Sequence, residues 1–136
     1  MYYEITVKAR RTTGKGAEKE VTERYITDCD LFSEAEAGGL HLLAEDNLEG
    51  DVVAIKRSNV REIVNEGEDK EFFFRATIVD IFIDDNGREK ETKYNMLVKA
   101  DSLAEATSKT KEFLRQGYGD LSLDGVVKTK ILGVLE

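Results

Sequence analysis

Apolar and polar positions alternate almost from the first residue. Tyr3, Ile5, Val7 and Ala9 take turns with Glu4, Thr6, Lys8 and Arg10, the two-residue period of a strand with one buried face. "TTGKGAE" at 12–18 brings the glycines of a hairpin turn, and a second strand runs through "VTERYITDC". The period then lengthens: Phe32, Ala35, Gly39, Leu42 and Leu43 make one helical stripe. Asp30 or Ser33 stands where its N-cap would be. Gly38 and Gly39 inside this helix cost up to about 1 kcal/mol each relative to alanine, which predicts a weak or bent helix, or close approach of another backbone. "DVVAIKR" at 51–57 reads as a third strand, while "NVREIVN" after it fits either a continuing strand or a short helical turn.

The same order recurs at an offset of 71 residues without a gap. Tyr3 falls on Phe74, Val7 on Ile78, Gly16 on Gly87, Ile26 on Leu97, Asp30 on Asp101 and Ala35 on Ala106. "DDNGRE" at 84–89 repeats the turn, and "TKYNMLVKA" repeats the second strand. Leu103, Ala106, Thr110, Phe113 and Leu114 repeat the helical stripe behind a cap at Asp101 or Ser102, and "GVVKTKILGVL" at 125–135 reads as the closing strand. A helix that returns the chain beside its first strand makes a small antiparallel sheet with one helix on its face. The expected fold is therefore α+β, a single domain over 1–136 made of tandem pseudo-symmetric ββαβ repeats at 2–64 and 72–135. "NEGEDKE" at 65–71, without apolar residues, is the junction. "FFFRATIVDIFI" at 72–83 is apolar on both faces. Such a strand is either central in its sheet or covered by a partner chain, and the second option implies a homo-oligomer.

Composition narrows the class. A chain of 136 residues, 40% hydrophobic and 35% charged, has the make-up of a soluble globular domain with one real core. No apolar run approaches the roughly 20 residues of a membrane-spanning helix, and the strand-like N-terminus predicts no export signal. Cys29 is the single cysteine; it has no internal disulfide partner, in keeping with a reducing cytoplasm. A net charge of −8 disfavours wholesale wrapping of duplex nucleic acid.

Catalytic chemistry finds little material. His41 is the only histidine, which excludes multi-histidine zinc sites and any triad needing two imidazoles. It pairs with Glu112 in the repeat, so it is expected to face solvent, and Cys29 pairs with Ala100, so it is expected to be a small buried residue more than a nucleophile. "DDNG" at 84–87 fails as a calcium loop, because fixing Gly87 at loop position six puts Phe82 and Lys93 where carboxylates belong. "GKG" at 14–16 and "GYG" at 117–119 are turns more than phosphate loops. No catalytic residue, cofactor or metal is expected.

One departure from mixed charge remains. Five of the nine basic residues within the first 67 are Lys8, Arg10, Arg11, Lys15 and Lys19. With Tyr2, and separately with Lys56, Arg57 and Arg61 near Asn59, they are the candidate binding residues, since cations meet phosphates and rings stack on bases. The plainer reading of the first group is a solvated hairpin with a polar tip.

The segments "VTERYITDCDLFSEAEA" at 21–37, "AIKRSNVREI" at 54–63 and "NMLVKADSLAEA" at 95–106 resemble the domain-of-unknown-function family numbered forty-four ninety-four, found in Bacteroidetes and their phages. The resemblance implies a bacterial host cytoplasm and a phage or mobile-element origin, and supplies no activity or catalytic residues. The expected function is a small non-enzymatic binding or interaction protein, acting through protein contacts or a small ligand held at a subunit boundary. The alternative is a single-stranded nucleic-acid-binding accessory protein that uses the basic first hairpin.

Overall fold

Residues 1–12, 14–64, 70–116 and 120–135 are described by a computed structural model. The "NEGED" part of the expected junction and the "GYG" turn fall outside them. The alternating segment becomes β1 (Tyr2–Thr12), paired through the glycine turn with β2 (Glu18–Asp28). The helical stripe becomes α1 (Phe32–Glu45), followed by β3 (Gly50–Arg57) and β4 (Val60–Val64). The second repeat gives β5 (Phe72–Ile83), β6 (Glu89–Ala100), α2 (Leu103–Arg115), β7 (Asp120–Lys128) and β8 (Ile131–Leu135). Gly16 and Gly87 both adopt positive φ, at 78° and 75°, the backbone that glycine enters without a Cβ penalty.

Strand order is β3-β1-β2-β8 in one sheet and β4-β6-β5-β7 in the other. The chain is thus α+β in two repeated parts, and each repeat carries one more strand than its ββαβ reading. β3 and β4 are separate strands, as are β7 and β8, and the last strand of each repeat joins the sheet of the other. β8 lies parallel to β2, and β4 lies parallel to β6. Each sheet is therefore three antiparallel strands plus one parallel edge. "NVREIVN" resolves as strand over Val60–Val64. Two compact units result, Met1–Ser58 with Lys130–Glu136, and Asn59–Thr129.

The duplication holds at the level of register. Arg24 faces Ile131 as Asn95 faces Val60, and Thr27 faces Leu135 as Val98 faces Val64. The ladder slips between Thr6 and Val7 in one sheet and between Thr77 and Ile78 in the other, one period apart. Ser58 N–H donates to Tyr2 O at 2.8 Å and Thr129 N–H to Phe73 O at 2.9 Å, so β3 and β7 are tied off by the same bond. In the second unit, Thr77 Oγ1 donates to Asn95 Oδ1 at 3.0 Å and Asn95 Nδ2 to Asn59 Oδ1 at 2.6 Å, a side-chain relay that fixes the entry to β4.

In the first unit, Ile5, Val7, Ala9, Ala35 and Leu43 form the core between sheet and helix. Gly39 explains itself there: a Cβ on it would stand 2.9 Å from Val52 Cγ2 and 3.1 Å from Ile5 Cγ2. The close approach anticipated for this glycine is to side chains on β3 and β1, not to another backbone. Its counterpart in α2 is Thr110, fully buried, whose hydroxyl donates to Ala106 O at 2.8 Å. The second core gathers Phe74, Ala76, Ile78, Met96, Ala100 and Ala106.

β5 sits between β6 and β7, and Phe73, Phe74, Ala76, Ile78 and Val79 along it are all buried. The two-sided apolar strand is therefore a central one. Its far end stays open, with Phe82 44% and Ile83 74% exposed.

The helix starts differ. Ser102 Oγ accepts from Glu105 N at 3.2 Å, whereas Asp101 Oδ1 accepts from Glu71 N at 3.0 Å and does not cap α2. In α1 the capping position is Leu31, with extended backbone and no side-chain bond, so neither Asp30 nor Ser33 serves. The repeat supplies the repair: Leu31→Ser, the residue found one period later, should raise stability by about 1 kcal/mol. Urea unfolding with an unchanged m-value would measure it, and a loss of stability would contradict it.

Candidate binding surface

Several of the basic residues face carboxylates across the ladder. Lys8 stands opposite Asp51 on β3, Arg10 opposite Glu20 on β2, and Lys56 opposite Glu4 on β1. Such cross-strand opposition places an acid on the same face beside each cation. Arg11 points to the helix-bearing face and is held by two hydrogen bonds to Glu23, at 2.9 and 2.8 Å, with Asp46 Oδ2 a further 3.7 Å contact. The Glu23 carboxylate raises the Arg11 pKa above its ordinary value. Tyr25 also donates to Glu23, at 3.2 Å, and burial pushes its phenol up.

Lys15 and Lys19 are exposed at and beside the turn, with Lys19 opposite Arg11. Tyr2 is half-buried opposite Asp28, and Arg57 lies opposite Tyr3. Arg61 belongs to the second unit, where its guanidinium sits 4.5 Å from the Tyr94 ring centroid, so it does not share a unit with Lys56 and Arg57. A cleft of about 360 Å³ at Lys8 and Arg10 is lined also by Glu20, Glu49 and Asp51. Three carboxylates to two cations make a mixed surface and not a basic groove.

His41 is exposed on α1 and lies 3.0 Å from Glu45. Cys29 is partly buried against the first core, its Sγ 3.4 Å from Leu31 O, and burial raises its thiol pKa. Less thiolate means less nucleophile. No group of three or more His, Cys, Asp or Glu side chains able to hold a metal occurs among the described residues. No described helix is long and apolar enough to cross a membrane.

Exposed apolar side chains also stand at the start of α1 and along one flank of it. Leu31, Phe32 and Leu40 are 58%, 54% and 52% exposed, and Phe32 is steadied by an edge-on contact with Tyr3 at 6.5 Å between centroids. One period later stand Ser102, Leu103 and Lys111. The same helix in the same fold is thus built with a cap and a lysine where α1 carries two leucines. The sequence held this signal in the pairing of Leu40 with Lys111, but scanning for charge and nucleophiles passes over it.

At the start of α2 the second unit has instead an ionic clamp. Glu105 Oε1 is shielded from solvent and held by the Lys70 and Lys109 ammonium groups at 3.2 and 3.3 Å, in ion pairs without hydrogen-bond alignment. Lys70 also reaches Asp101 at 3.4 Å. Lys70 is the main cause of the Glu105 pKa lying below its usual value, and Glu105 in turn raises Lys70. A lowered carboxylate pKa contributes stability that is present above the unfolded value and lost as pH falls through the folded one. Glu105→Gln should therefore lower the melting temperature at neutral pH, and the difference from wild type should close as acid protonates the Glu105 carboxylate, below its ordinary range. A difference that persisted at the acid end would refute the clamp.

One family model, described as Domain of unknown function (DUF4494), matches residues 1–136. Neither a curated protein nor a solved structure matches the chain.

Proposed function

We propose that this chain, which belongs to that family over its whole length, is a non-enzymatic interaction protein that presents the exposed flank of α1 along Phe32, Glu36 and Leu40 to a protein partner. The observation that carries the reading is the contrast between duplicated helices: Leu31 and Leu40 are exposed where Ser102 and Lys111 satisfy the same fold. Burying side chains of this size contributes about 1.5–3 kcal/mol each, which a partner recovers against the entropy of association. The lone Cys29, without a disulfide partner, supports action in a reducing bacterial cytoplasm. The phage or mobile-element origin in this reading has the family resemblance as its support.

A photo-cross-linking amino acid at position 40, and separately at position 111, tests it in cells. A discrete protein adduct is expected from position 40 alone; equal labelling from both would overturn the reading. For the nucleic-acid alternative, the carboxylates opposite Lys8, Arg10 and Lys56 weigh against a phosphate track. Single-stranded DNA should bind no tighter than about 100 μM at physiological salt. A low-micromolar Kd lost in Arg10→Ala would restore that alternative.

A further inference from the structure

We infer that the partner of α1 is a basic amphipathic helix, a segment with an apolar stripe flanked by lysine or arginine; the inference rests on the reading of α1 as the interface. The charge distribution of the two helices points there. α1 contains no lysine or arginine, whereas α2 carries Lys109, Lys111 and Arg115. All three fall on uncharged residues of α1 at the repeat offset, on Gly38, Leu40 and Ala44.

What α1 keeps is acid. Glu34 and Glu36 are exposed on it and have no ion-pair partner among the described residues, and Glu45 meets only His41. α1 also lacks a cation in its last turn, where α2 has Arg115; such a cation stabilises the carbonyl end of a helix. The face thus forgoes the internal pairs that α2 makes between Lys109 and Glu105 and between Arg115 and Glu112.

Phe32, Glu36 and Leu40 follow at four-residue steps, with the two apolar groups about 12 Å apart along the axis. That separation suits two anchors two turns apart on a docked helix, and Glu36 between them faces the cationic flank. The same carboxylates repel phosphate chains and anionic lipid surfaces, so a cationic protein segment is the complementary occupant.

The test uses the full chain and a synthetic helical peptide with leucines at helical spacing and lysines elsewhere, labelled for anisotropy. Its analogue with glutamate for lysine is the second probe. Two variants accompany wild type: Glu36→Thr with Leu40→Lys, which installs the residues of the second repeat, and Glu89→Thr with Glu91→Thr on exposed β6 positions as a control for net charge. Circular dichroism and melting confirm that both fold.

The lysine peptide should bind wild type and the β6 control alike, and the α1 variant at least about tenfold more weakly. The glutamate peptide should not bind. If the glutamate peptide binds as well and is lost in the α1 variant, the interface stands and the basic partner is wrong. If the lysine peptide does not bind, or binds all three proteins equally, the inference falls, while cross-linking at position 40 still decides the interface separately.

Discussion

Replacing Phe73 with alanine should lower the free energy of unfolding by about 4 kcal/mol, a full cost for truncating a buried aromatic ring. Phe73 is only 2% exposed, so the lost transfer energy is nearly complete, and β5 is a central strand that cannot slide to fill the space. The ring also lies 5.5 Å from the Lys99 ammonium, and its loss leaves that cation without its partner face. The carbonyl of the same residue accepts from Thr129 N at 2.9 Å and Thr129 Oγ1 at 2.8 Å; alanine keeps both. The loss is therefore a packing loss. Phe73→Leu should recover most of it, because volume-conserving apolar replacements usually cost less than about 1.5 kcal/mol. Denaturant titration of the two variants would test this, and a cost below about 1 kcal/mol for alanine would mean that the site collapses freely.

Gly50→Ala should cost at least about 3 kcal/mol, more than one methyl group suggests. A Cβ on Gly50 would collide with the Lys8 carbonyl oxygen and stand 2.9 Å from Ala9 Cα. Both are backbone atoms of a central strand, so no rotamer change relieves the clash, and the start of β3 would have to leave β1. Gly50 pairs with Ala9, and the neighbouring bond from Arg10 N to Glu49 O, at 2.9 Å, would go with it. The effect should appear as loss of amide protection confined to β3 and the β1 residues facing it. Hydrogen exchange would show it, and protection equal to wild type in β3 would contradict the clash. The second repeat has Leu121 at this position, so the close approach is particular to the first sheet.

The element types were legible because each periodicity has one physical meaning over enough residues: Tyr3 through Ala9 alternate, and Phe32 through Leu43 recur at helical spacing. The repeat offset was equally open, since it preserves burial roles such as Val7 with Ile78 without a gap. The destination of Ile131–Leu135 was not. Its parallel partner lies more than a hundred residues earlier, at Arg24–Thr27, and alternation tells a strand's faces but not its neighbours. The basic hairpin was visible as composition, yet its meaning depended on which acid stands across the ladder from Lys8 or Arg10. The exposed flank of α1 needed both helices side by side, because Leu40 stands out only against its twin Lys111.

The crossing of β8 into the first sheet sets an order of completion during synthesis that runs against the order of the sequence. Residues 59–129 are contiguous and include every strand of the second sheet, so that unit has all its parts once β7 has left the ribosome. The first unit, begun earlier, waits with the free edge of β2 open until Ile131–Leu135 emerge. During that interval the nascent chain offers an unfilled strand position, the place where a neighbouring chain on the same message could insert its own β8.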